Sequence, residues 1–203
     1  MGLFGPYRGA LPPDVSARER EPYGKLFAEQ FIHGRMLKVW YWGAKPFFAH
    51  MQDYPSVTGD GHTTVRELLK RRVEDAHLPW ESFEQKPVVL GCLAYQGLTL
   101  DDVLAAGRTA WIDYRYGQLY EATWGTTSKS DNQLEALTRL SGDQTQQMGN
   151  ALARLLQETL ALPVLITVDG LLDSEGRIWW LEMNTNSLLP PEGYEAMFAD
   201  LFP

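Results

Sequence analysis

Asp169, Glu182 and Asn184 are the residues whose types and spacing best suit chemistry. Residues 164–171 are apolar and β-branched, and residues 178–183 are apolar and aromatic. Between them, Asp173-Ser174-Glu175-Gly176 is a turn signal, so the piece reads as a β-hairpin. With the turn centred between Glu175 and Gly176, Asp169 lies opposite Glu182. Opposed side chains share one face, with Cβ atoms about 4.5–5.5 Å apart. Asn184, two residues on, points to that same face. A turn centred one residue earlier would set Glu182 opposite Thr167 and leave Asp169 as its diagonal neighbour. Two carboxylates so placed repel unless they share a proton or a cation. Two carboxylates and an amide oxygen are hard donors that suit Mg²⁺, which takes only a few ligands from protein. The opposite face, with Val164, Ile166 and Val168 on one strand and Trp179, Leu181 and Met183 on the other, is expected to be core. The bland alternative is an amphipathic hairpin whose acids are merely solvated.

The elements that must carry this hairpin follow from pattern. Residues 1–24 are rich in Gly, Pro and charge and read as a loop or arm. Apolar segments at 26–32, 39–42 and 46–51, joined at Gly34 and Gly43-Ala44, read as a small antiparallel meander. Thr64 and Glu67 have capping-box spacing, and Val65, Leu68, Leu69 and Val73 follow a helical stripe. Residues 75–87 read as loop, and 88–95 as helix or strand. Residues 100–104 read as a short helix, 109–114 as a strand, and 125–132 as a mobile polar loop. Ser141 and Gln144 again have capping-box spacing. Met148, Ala151, Leu152, Leu155, Leu156 and Leu160 then mark one buried helix face, ended by Pro163.

Composition bounds the function. A 203-residue chain with 44% hydrophobic residues can bury a core in one domain or two small ones. A net charge of −8 argues against a duplex nucleic-acid binder, which shows a basic face. Lys70-Arg71-Arg72, inside the helical stripe, reads as a solvated face. The single cysteine, Cys92, allows no internal disulfide and reads as a small buried hydrophobe. His33, His50, His62 and His77 have no metal-ligand spacing. No signal peptide, lipidation signal or membrane-length apolar run is visible, so a cytoplasmic location and no membrane partner are expected. Trp40, Trp42, Phe47 and Phe48 fit either the core of the meander or an exposed partner patch.

The string Asp169…Glu182-Met183-Asn184-Thr185-Asn186 resembles the closing motif of the ATP-grasp superfamily. Ala28-Glu29-Gln30-Phe31-Ile32-His33-Gly34 resembles its hinge. Val57-Thr58-Gly59-Asp60-Gly61-His62-Thr63-Thr64-Val65-Arg66-Glu67-Leu68 is similar to a run of its cyanophycin-synthetase and glutathione-ligase-like (RimK-type) branch, and Gln96-Gly97-Leu98-Thr99-Leu100-Asp101 looks like that branch too. The resemblance covers roughly residues 25–195. It implies an α+β, ATP-grasp-like fold of antiparallel sheets packed with helices, without the usual N-terminal part. Residues 25–75 would hold the hinge and meander, and 86–203 the metal-site subdomain. It implies ATP and Mg²⁺ as cofactors, with Asp169, Glu182 and Asn184 on the metal and Glu29, Gln30, Ile32 and Lys38 against the nucleotide. Lys38, Arg66 and Arg115 are the cations to neutralise phosphate or hold a carboxylate. The implied activity is ligation of a carboxylate to an amine through an acylphosphate, on a small-molecule or peptide substrate.

Three departures stand beside this. The hinge acid that meets ribose is replaced by Met36, a usual Arg by Lys38, and Asn-Pro-Gly after the last ligand by Asn186-Ser187-Leu188. The strand with a phosphate-binding Lys has no counterpart in the roughly two dozen residues before the hinge, and Met1-Gly2-Leu3-Phe4-Gly5 would be at most the tail of the Gly-rich loop. A non-catalytic binding or regulatory module, or part of a larger ligase completed by another subunit or a second copy, is therefore the alternative expectation.

Overall fold

Two of the apolar runs, separated by more than a hundred residues, become neighbours in one sheet. The computed structural model describes residue 6 and residues 29–84, 86–114, 132–161, 163–185, 188 and 191–203. The expected arm at 1–24 (Pro6 aside), the loop at 125–131 and Arg115 lie outside them. The fold is α+β, with antiparallel sheets and packed helices. The chain divides into two units, one from Met1–Phe31 with Tyr54–Ala122, the other from Ile32–Asp53 with Thr123–Pro203. Among the described residues no helix is long and apolar enough to cross a membrane.

In the first unit, β3 (Ser56–Thr58) pairs antiparallel with β4 (Thr109–Trp111), and α1 (Val65–Asp75), α2 (Glu81–Glu84) and α3 (Pro87–Tyr95) pack nearby. The expected capping box forms: Thr64 Oγ1 accepts from Glu67 N, and Glu67 accepts from Thr64 N. Val65, Leu69 and Val73 are buried with Val88, Val89, Cys92 and Leu93. The ambiguous run 88–95 is helix, started by Pro87, whose fixed φ suits a first turn. Part of the expected 75–87 loop is α2. Residues 100–104 are not a helix. The carbonyls of Leu100 and Asp102 instead accept from Arg66 N and Val65 N, both at 2.8 Å. They serve the first-turn donors of α1 that no helix can satisfy itself.

The run from Val57 to Leu68 has a structural job in this unit. A Cβ on Gly59 would stand 2.4 Å from Leu104 Cβ. Asp60 accepts from the backbone N–H groups of His62 and Thr63 and from the Thr63 hydroxyl. Those donors hold its carboxyl well below the usual range.

The second unit is a four-stranded antiparallel sheet in the order β2-β1-β5-β6. Its strands are β1 (Arg35–Trp42), β2 (Lys45–Gln52), β5 (Leu165–Leu172) and β6 (Ile178–Asn184). Its helices are α4 (Leu134–Ser141), α5 (Gln144–Leu156) and α6 (Pro191–Leu201). One face of the sheet carries Leu37, Val39, Tyr41, Ala49, Met51, Ile166, Val168, Leu172 and Ile178, packed with Leu137 and Leu152 from α4 and α5. Each Val, Leu, Ile or Met among them stabilises by about 1.5–3 kcal/mol on burial. The expected meander is only half present. The second and third apolar segments do pair, Val39 with Ala49 and Trp40 with Phe48, but residues 29–32 form no strand, and the third strand beside β1 is β5. Trp40 and Phe48 are buried, edge to face at 5.1 Å, and Trp40 Nε1 donates to Leu188 O at 2.9 Å, so these two rings are core.

The second capping box does not form. Ser141 ends α4, and its hydroxyl donates to Leu137 O. Gln144 reaches the hairpin instead: Nε2 donates to Ser141 O and Gly176 O, and Oε1 accepts from Ile178 N. The helix after it stops at Leu156, and Leu155 and Leu160 are exposed.

Candidate metal site

The sheet face away from α4 and α5 holds the chemistry. Strand pairing lays His50, Lys38, Asp169 and Glu182 in one row across β2, β1, β5 and β6. Directly paired residues present their side chains to the same face. Thr167 and Asn184 form the next row. The expected opposition of Asp169 and Glu182 is therefore present.

It is reached by a bulge. From Leu172↔Ile178 to Gly170↔Trp180 the ladder runs regularly, then Leu181 is skipped and Glu182 pairs with Asp169. Without the skip, the same turn would set Leu181 opposite Asp169 and turn Glu182 toward the core. Burying an unpaired carboxylate among Ile166, Val168 and Leu37 would be far costlier than one irregular pair.

The bulge also corrects the expected core face of β6. Ile178 and Trp180, not Trp179 and Leu181, pack toward α4 and α5. Trp179 lies on the other face, where its Nε1 donates to Asp173 Oδ2 at 2.8 Å and Arg177 covers its ring. Leu181 is 62% exposed and Met183 40%.

Two donors converge on Asp169. Lys38 Nζ donates to Oδ1 at 2.5 Å, and Asn184 Nδ2 donates to Oδ2 at 3.2 Å and to Glu182 Oε1 at 3.1 Å. Burial pushes the Asp169 carboxyl above its usual range, Lys38 pulls it back down, and the Glu182 charge adds to the upward push. The Asp169 carboxylate is thus under-compensated by the protein alone.

The donor set fits Mg²⁺. One amide nitrogen already touches both carboxylates, so a single small cation could reach both. Rotating the Asn184 amide, whose two ends are near-isosteric, would present Oδ1 in place of Nδ2. Among the described residues no three His, Cys, Asp or Glu side chains form a metal cluster, and the Asn184 amide is the neutral side chain that touches both carboxylates.

The other expected site residues are placed as follows. Glu29 and Gln30 are exposed at the edge of the first unit, and Ile32 is half-buried at the start of the second. Met36 is buried, opposite Leu171 and two residues from Lys38 on the same face. Arg66 is committed within the first unit. Its Nη2 donates to Asp101 Oδ1 at 3.0 Å, and its Nη1 to Glu84. To meet a phosphate it would have to give up both acids. The approach of Lys38 to Asp169 was not among the expectations. The signal for it, a β1–β5 pairing, is absent from local sequence.

No family model matches the chain, and no curated protein matches it at a significant level. Among solved structures it is similar to a bifunctional glutathione synthetase from Pasteurella multocida, with a TM-score of 0.42 and 14% identity over 84% of this chain. The chain spans 24% of that protein's length.

Proposed function

We propose that this chain is the cation-binding part of an ATP-dependent ligase that joins a carboxylate to an amine through an acylphosphate. The observation that carries this reading is the opposition of Asp169 and Glu182 on a rigid sheet, with the Asn184 amide touching both. Sites built on paired strands hold their donors more tightly than sites on loops. Asp169, Glu182 and Asn184 would hold Mg²⁺, which supplies charge neutralisation for the phosphates of ATP. The motif resemblance adds Glu29, Gln30 and Ile32 as nucleotide contacts. It adds Lys38, Arg66 and Arg115 as cations for phosphate or the substrate carboxylate. In such a site catalysis is positioning plus electrostatic stabilisation of the transferring phosphoryl group. The substrate class is a small molecule or peptide carrying a carboxylate, with an amine as acceptor. A complementing subunit or second copy would supply further phosphate contacts.

One observation favours a second reading, a binding module without turnover. Met36 puts a buried apolar side chain where the family's ribose-contacting acid stands.

The test is a thermal melt with and without ATP and Mg²⁺. The parent is expected to shift upward and the Asp169→Asn/Glu182→Gln double variant to stay put. A parent that does not move sinks both readings. A shift without phosphate release, when amino acids and amines are supplied, selects the module.

A further inference from the structure

Building on the metal-site reading, we propose that Lys38 is the resident counter-ion of the site. Its ammonium balances Asp169 while no nucleotide is bound and must leave before a divalent cation can enter. Lys38 pairs directly with Asp169 in the middle of the sheet, and their side chains are 12% and 24% exposed. Both Asp169 oxygens are engaged, Oδ1 by Lys38 and Oδ2 by Asn184. A cation on Oδ2 needs the Asn184 amide to turn, and a cation drawn to the same carboxylate meets the repulsion of the ammonium on Oδ1. The Asn184 amide can turn and stay as a ligand, but Lys38 has no acceptor to offer a metal.

The displaced ammonium then needs a new anion, because leaving a half-buried charge unpaired is costly. A phosphate bound at the same cation supplies one, and the flexible lysine stem allows the swing. Cation and phosphate binding become mutually dependent, and such coupling is reciprocal. Bare metal binds weakly, and metal with nucleotide binds well.

Titration with Mn²⁺, followed by its electron-paramagnetic-resonance signal, reads this directly, alone and with a non-hydrolysable ATP analogue. The parent is expected to bind bare Mn²⁺ weakly and to bind it at least about tenfold more tightly with the analogue. Lys38→Met and Lys38→Gln are expected to tighten bare Mn²⁺ binding by about tenfold and to lose most of the coupling, while Lys38→Arg behaves as the parent. Circular dichroism checks that each variant is folded, and the Met and Gln forms guard against loss of one. Unchanged or weaker bare binding in folded Lys38→Met or Lys38→Gln, with coupling intact, overturns the counter-ion role and leaves the metal site standing. A parent that binds no Mn²⁺ even with the analogue, or an Asp169→Asn/Glu182→Gln variant that binds as the parent does, overturns both.

Discussion

Asp169 and Glu182 face each other at the one place where the β5–β6 ladder slips by a residue. The slip skips Leu181, which is left exposed, and brings Glu182 opposite Asp169. Hydrophobic alternation is sacrificed there so that a charge stays out of the core.

The faces of adjacent residues on β6 can be tested by substitution. Leu181→Ser should change stability by less than about 0.5 kcal/mol, as expected for an exposed site. Trp180→Ala should cost about 2 kcal/mol or more, since it removes a large side chain packed on the core. Urea unfolding followed by circular dichroism measures both. Equal costs would place the slip elsewhere.

Gln144 ties the start of α5 to the hairpin through Gly176 O and Ile178 N. Gln144→Ala leaves both without that partner and should destabilise by about 1–3 kcal/mol. The double variant Gln144→Ala/Ser141→Ala separates this tie from a capping role. Near-additive costs are expected, because the Ser141 hydroxyl bonds Leu137 O and not Gln144.

Gly149 is a point of close approach between α5 and the β1–β2 turn. An added Cβ would lie 2.1 Å from Ala44 O and 3.1 Å from Tyr41 Cδ1. Gly149→Ala should cost about 1–3 kcal/mol or more through overpacking, despite the better helix propensity of alanine. Gly97→Ala meets no atom within 4 Å but has φ +72°, so its cost should stay near the roughly 1–2 kcal/mol of left-handed strain. Thermal melts rank the two, and a Gly149→Ala protein as stable as the parent would mean the helix sits farther from the turn.

Asp173 gives a pH dependence of defined sign. The indole N–H of Trp179 and the backbone N–H groups of Arg177 and Glu175 hold its carboxyl below the usual range. Its folded-state pKa is thus lowered, so its contribution is present above the unfolded value of about 3.9 and lost as pH falls through the folded one. Asp173→Asn should be less stable than the parent near neutrality, with the gap closing in acid. Denaturation midpoints across that range give the gap, and a constant gap would show that charge is not the cause.

Much of the site was legible because acids interrupt an otherwise apolar hairpin. A period-two pattern fixes which side chains share a face, and the turn residues fix the register to within one position. The remaining residue of slip was invisible, since a bulge leaves no compositional mark and here was dictated by the cost of burying Glu182. The Ser141–Gln144 spacing misled for a similar reason. The pattern fits a capping box, yet a tertiary partner, the hairpin turn, outcompeted the local bond. The run at 100–104 looked helical from its leucines, but its carbonyls are needed by α1. Lys38 beside Asp169 depends on pairing between distant strands, and single-sequence periodicity does not carry such pairings.

That distant pairing has a consequence for how the molecule is made. Lys38 and Asp169 are 131 residues apart, and the stretch between β2 and α4 supplies most of the other unit. As the chain leaves the ribosome, the helices and short strands of that unit, whose described pairings span less chain than Lys38 and Asp169 do, emerge complete before β5 and can fold first. The β1–β2 hairpin must wait as a two-stranded fragment with an open edge until β5 and β6 follow. The acids and the lysine thus come together last, and a nascent chain halted before residue 165 would carry no cation site at all.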